Sequence, residues 1–337
     1  MIKNITAFFL AMLIGVIGNT TTRTICLSGC DYTTINSAEA VSLSGDILEI
    51  RDNRTYNETW TPGGERTIRN QSGNTPTLNA VNLNSAGANA VTIIGLGDID
   101  DFVITSASQT TVDYNGTNNL TLVIENMTIE CTKNNNNTLN IAGSGAVTVT
   151  VKKSNILGTG KFCINMTNSN AASVFVLQNT YFHDAADCGV YFATAAGSTL
   201  NMDSCTIRNT VEGTFIGSGT YTCTNCLFQD NTDDINGTPA NKAIWTYNLF
   251  EEQTDTGGWG TGNVFATSIT FTGASTAIPT GWQMADDQAN INVGATALTT
   301  DIVGTVRPQD TDDIGAYEYP AAISLPRGSF MMMGVGF

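Results

Sequence analysis

Charge is scarce in this 337-residue chain, and positive charge scarcer still: 13% of residues are Asp, Glu, Lys or Arg, and only 14 are Lys or Arg. With no basic run and a formal charge of −16, nucleic acid and anionic membrane surfaces are poor partners. A polyanionic glycan would be repelled unless a divalent cation bridged it, which leaves neutral glycans, cations and proteins. A single histidine, His183, excludes a metal site of several His ligands and leaves one base for any Ser-His-Asp triad. No phosphate loop or dinucleotide fingerprint occurs, because the scattered glycine pairs lack the strand and helix context those motifs need. Long apolar runs are missing too. The N-terminal one, Ala7 to Ile17, is too short for a membrane span. Elsewhere the runs are too brief and β-branched for a helical solenoid, and the Leu and Asn lattice of leucine-rich repeats is absent.

What is present is a repeat. The phrase Asn126-Met-Thr-Ile129 recurs as Ser154-Asn-Ile-Leu157, Asn179-Thr-Tyr-Phe182, Ser204-Cys-Thr-Ile207, Asn225-Cys-Leu-Phe228 and, more loosely, Tyr247-Asn-Leu-Phe250. Its closing apolar residues are spaced 28, 25, 25, 21 and 22 apart. Such a period marks units that bury their apolar side by stacking on their neighbours. Abundant Gly, Asn, Ser and Thr suit many tight turns between short strands. The expectation is an all-β, single-stranded parallel β-helix solenoid of about ten coils by length and period, forming one domain with little helix. The pattern resembles the right-handed parallel β-helix (pectin-lyase-like) superfamily, and a right hand agrees with the handedness of parallel crossovers. Ala90 to Gly95, Phe102 to Thr105, Leu120 to Ile124, Asn263 to Phe265 and Ser268 to Phe271 read as further strands.

The ends bear on location. Lys3, the apolar run, and Val16 and Gly18 at cleavage-site positions read as a secretory signal over residues 1–23, with an uncleaved anchor as the alternative. Residues 24–319 are assigned to the β-helix and 320–337 to an apolar docking or sorting tail. From Cys26 the chain resembles the start of secreted β-helix proteins, in which a short capping helix leads through a Gly-Asp corner, here Gly45-Asp46, into the first strand. A cap is needed because a bare solenoid end exposes strand edges and core. A Cys26–Cys30 disulfide closing that cap fits an exported protein. Near the other end, Thr300 to Pro308 and Asp312 to Tyr319 are similar to the closing motif of choice-of-anchor Q proteins, with Arg307 and Asp313 expected to pair structurally. That resemblance implies export to the cell surface; a virion fibre or spike with apolar assembly contacts is the alternative.

Alternation along the strands supplies candidate site residues. If the closing residues of the repeat point inward, the next ones point outward: Glu130, Gly158, His183, Arg208, Gln229 and Glu251. One residue on lie Asp184, Asn209, Asp230 and Glu252. Glu130, His183, Asp184, Arg208, Asp230 and Glu251 thus form a polar stripe, with His183 and Arg208 as donors and the acids as acceptors or calcium ligands. No cofactor is expected, with calcium as the possible exception this set could take. Asp184 and Asp230 would lie about 9.6 Å apart, near the upper limit for an inverting acid and base. The Gly-His-Gly phrase and clustered Asp pairs of polygalacturonase-like enzymes are missing, and no pectate-lyase phrase surrounds the acids, so no catalytic residue is assigned. The expected function is a non-enzymatic surface or adhesion protein that contacts a glycan or surface protein, with a polysaccharide lyase or hydrolase as the alternative. Cys163 with Cys188 and Cys205 with Cys226 are expected at equivalent positions on adjacent coils, as buried free thiols.

Overall fold

The structure is a computed structural model and describes residues 20–85, 89–237, 244–253 and 257–265. Short parallel strands stack coil upon coil into a right-handed parallel β-helix. Sheet S1 holds nine strands, from Thr22–Ile25 through Ile47–Ile50 to Thr220–Thr224. Two further sheets diverge from strand Thr77–Asn82: its first residues pair onward with Val103–Ser106 in S2, its last with Val112–Tyr114 in S3. The nine strands of S1 set the coil number of the described residues, against the expected ten. The expected strand over Ser268 to Phe271, the Arg307–Asp313 pair, the apolar tail and most of the proposed signal lie outside the described residues.

The core is one continuous apolar column, because inward residues of successive coils fall in register. In S1, Leu122, Val149, Phe175, Leu200 and Tyr221 follow one another up the stack, and each is buried. Fully burying one such side chain contributes about 1.5–3 kcal/mol.

Left-handed backbone closes six successive corners between S1 and S2. Asn126, Lys153, Asn179, Ser204, Asn225 and Tyr247 have φ between 46° and 57°. Asn tolerates this conformation better than most residues, and here Asn126 Nδ2 reaches the preceding coil and donates to the Gly97 carbonyl at 2.8 Å. The corner also corrects the repeat alignment. Ile129 pairs with Ile156, and Ile156 with Phe182. Lys153, not Ser154, is therefore the corner residue, and Leu157, not Gly158, takes the outward place after it.

The cap forms as the resemblance implied, with one difference. A five-residue helix, Ile35–Glu39, N-capped by Thr34, leads through Gly45 to strand Ile47–Ile50. Yet strand Thr22–Ile25 precedes the helix and pairs with Ile47–Ile50, so the first coil starts before Cys26. Cys26 and Cys30 are disulfide-bonded. Asp46, almost fully buried, accepts the Thr21 and Leu43 amides at 3.0 and 2.9 Å and Arg23 Nε at 2.9 Å. Burial alone would raise this carboxyl, but the amides and Arg23 outweigh it and hold it below the usual range.

Six cysteines are free and buried. Thr206 pairs with Leu227, which puts Cys205 and Cys226 at equivalent positions as expected. Cys188, however, pairs with Phe162 instead of Cys163, one residue off the expected register. Burial pushes the Cys205 and Cys226 thiols well up.

Two measurements check this description. Lys153→Asn places a residue suited to left-handed backbone at a strained corner, and we expect a gain of about 1 kcal/mol in urea unfolding; a loss would mean the corner is elsewhere. Thiol titration should find almost no reactive cysteine in the native protein and six after denaturation without reductant.

Candidate functional site

S2 carries the polar stripe, and its residues fall into two groups. Strand Tyr181–His183 pairs with Thr206–Arg208, which pairs with Leu227–Gln229, so His183, Arg208 and Gln229 stand on successive coils. Asp184, Asn209 and Asp230 follow at the strand ends with φ of 61°, 51° and 54°. Asp and Asn are among the few side chains that occupy this backbone readily. Their recurrence is explained first by the corner.

The first group centres on His183, which sequence alternation places on the outward side but which is only 1% exposed. Both ring nitrogens are engaged: Nδ1 lies 2.8 Å from Asp184 Oδ2, and Nε2 lies 2.9 Å from Asn155 Oδ1. Asn209 Nδ2 donates to the other Asp184 oxygen. Burial by itself would raise the Asp184 carboxyl; bonds from His183 and Asn209 and the nearby Arg208 charge prevail and keep it below the ordinary carboxylate range.

In the second group, Arg208 places Nε and Nη2 at 3.1 and 3.0 Å from one oxygen of Asp230. The Arg208 side chain is 14% exposed and Asp230 46%. Glu251 accepts the Asp230 amide at 2.8 Å. The Arg208 charge also acts on the buried Tyr181 hydroxyl. Glu130 stands apart, two coils below His183 with Leu157 between them, and is touched by Thr105 Oγ1 at 3.4 Å. The stripe is therefore not a continuous solvent-facing track. Outward neighbours Tyr181, Thr206, Leu227 and Leu249 are buried as well, which leaves a rim of exposed Asn209 and Asp230 with half-buried Asp184 and Glu251 beside them. Among the described residues no group of His, Cys, Asp and Glu is arranged to hold a metal ion.

S3 presents a different outward row, which the repeat phrase did not reveal. Asn82, Asp113, Asn140, Asn165, Tyr191, Phe215 and Asn236 occupy one position on successive coils. The amides bond along the stack: Asn140 Nδ2 donates to Asp113 Oδ1 at 2.7 Å, and Asn165 Nδ2 to Asn140 Oδ1 at 2.6 Å. Beyond them Phe162, Tyr191 and Phe215 form an offset ladder of rings, with centroids 4.6 and 4.5 Å apart. At the other end of the row a cleft of about 330 Å³ opens between Thr59, Asn82, Gln109, Thr110, Asp113 and Asn136.

The stripe's first group is testable through acid stability. A carboxyl whose folded pKa is depressed contributes stability that is present above its unfolded value near 3.9 and is lost as pH falls through the folded value. We expect Asp184→Asn to cost roughly 1–3 kcal/mol at pH 7, because a neutral amide has one oxygen and cannot accept from both the buried His183 and Asn209. The wild-type advantage should shrink below about pH 4. An unchanged midpoint at pH 7 would contradict the engaged-histidine geometry.

No family model and no curated protein matches the chain. Among solved structures, the chain is similar to pectate lyase Pel9A, at 11% identity and a TM-score of 0.48, over 89% of this chain and 97% of that one.

Proposed function

We propose that this protein is an exported, surface-located solenoid that holds a neutral glycan on its outer faces without cutting it, and so serves adhesion or surface contact. The observation that carries this reading is the mutual engagement of the stripe. Cleavage by general acid and base needs one carboxylic acid kept protonated and one carboxylate free to activate water. Here Asp184 is held ionised by His183 and Asn209, which removes it as the acid, and Asp230 is engaged by Arg208.

Ligand preference follows from charge. A net −16 repels polyanions, whereas amide- and hydroxyl-rich outward rows match a polyhydroxylated neutral ligand. The rim at Asp184, Arg208, Asp230 and Glu251 supplies fixed acceptors and one donor, and calcium bridging is the route by which an acidic glycan would bind there. The test is a screen of neutral and acidic polysaccharides that scores both binding and product release, with and without calcium. The reading expects binding of a neutral polymer, no new reducing or unsaturated ends, and no calcium requirement. Release of oligosaccharides would replace it with a lyase or hydrolase.

A further inference from the structure

Within that reading, and resting on it, we infer that the glycan lies along S3: its end sits in the polar cleft at Asp113 and Gln109, and its chain runs up the amide row onto the rings of Tyr191 and Phe215.

Three features of this face converge. The cleft, about 330 Å³, is at the small end of the range for ligand sites, enough for the end of a sugar chain and too small for a whole oligosaccharide. Its lining is suited to sugar hydroxyls: amides from Asn82, Gln109 and Asn136, hydroxyls from Thr59 and Thr110, and one carboxylate acceptor, Asp113. These groups are held in place before any ligand arrives. Asn84 Nδ2 donates to Asp113 Oδ2 at 2.9 Å, Asn140 holds the other oxygen, and Gln109 Nε2 donates to Thr59 Oγ1 at 3.1 Å. Preorganised partners lower the ordering cost of binding.

The row above the cleft gives the chain direction. Its members recur at about 4.8 Å, so the seven positions from Asn82 to Asn236 span about 29 Å. A linear polymer laid parallel to the solenoid axis meets a polar partner or a ring at each step. Asn165, at the junction of the amide and aromatic halves, is 8% exposed, and its Oδ1 has no hydrogen-bond partner among the described residues. Buried acceptors of that kind are uncommon, and Asn165 is held in place by its own donation to Asn140. Tyr191 and Phe215 are each half-buried, which leaves ring carbon for the C–H faces of sugars while the stacking keeps the rings rigid.

Charge selects the ligand class. The acids near this face are Asp113, Asp187, Glu212 and Asp233. Two cations are nearby: Lys161 Nζ lies 4.6 Å above the Phe162 ring and 3.8 Å from Asp187, and Lys133 Nζ donates to the Ser108 carbonyl, next to Gln109, at 3.1 Å. The face therefore favours an uncharged chain over a uronate-bearing one.

The experiment uses the full chain and isothermal titration with neutral hexasaccharides of the cello-, xylo-, manno- and chito-series, with hexagalacturonate as the acidic probe. We expect at least one neutral hexasaccharide to bind. Gln109→Ala and Tyr191→Ala should each weaken it at least tenfold, while Asp230→Ala on the S2 rim loses less. Gln109 is exposed and makes one side-chain bond, so its variant tests the track even if Tyr191→Ala fails to fold, as judged by circular dichroism. Undiminished binding in both S3 variants, with loss in Asp230→Ala, overturns the S3 track and leaves the proposed function standing. Binding of none of the neutral probes, or of hexagalacturonate alone, overturns both.

Discussion

Stacking of parallel strands in register is the constraint on which this molecule rests. Once successive coils pair backbone to backbone, every side chain has the equivalent residue of the next coil about 4.8 Å away. Inward, that repetition builds the column from Leu122 to Tyr221 and on to Trp245, which meets Tyr221 edge to face. Outward, it places like beside like, which is unfavourable for charge. The chain answers by alternating: Glu49 sits against Arg69 at 2.6 Å, Glu125 against Lys152 at 2.9 Å, and Arg208 against Asp230 at 3.0 Å. Along S3 neutral amides and rings follow one another, while Glu212 stands beside Asp233 as an exception.

The same constraint explains why the stripe on S2 is less open than its composition suggests. After three successive S2 strands the corner takes left-handed backbone, which Asp184, Asn209 and Asp230 supply at little cost. Having been placed by the corner, their side chains reach the neighbouring coil and become partners of His183, Arg208 and one another. A polar row formed this way is a structural lattice first. S3 differs because its row sits within the strands, and its cleft opens where the S2 and S3 strands have just separated from Thr77–Asn82.

Much of this was legible in the sequence, for a definite reason. The phrase beginning at Asn126 couples two requirements, a corner residue and an inward apolar residue three positions on, so its recurrence reports the coil directly. The one slip came at Lys152-Lys153-Ser154, where Ser looks like the better corner residue by chemistry but Lys153 holds the left-handed position. The S3 row stayed hidden because the chain between S2 and S3 varies in length. It runs from Cys131 to Leu139 in one coil and from His183 to Cys188 in another, so no fixed offset from the phrase finds it. Alternation gave the direction of His183 correctly but not its burial, since direction depends on the strand alone and exposure on what packs over it.

The central claim is that the stripe's histidine is closed into a network, not presented to solvent. As His183 is the sole histidine, carbethoxylation of the imidazole reads it without ambiguity. In the native protein the account predicts almost no modification, with complete reaction after unfolding. Native reaction at the rate of a free imidazole would show an open site and contradict it.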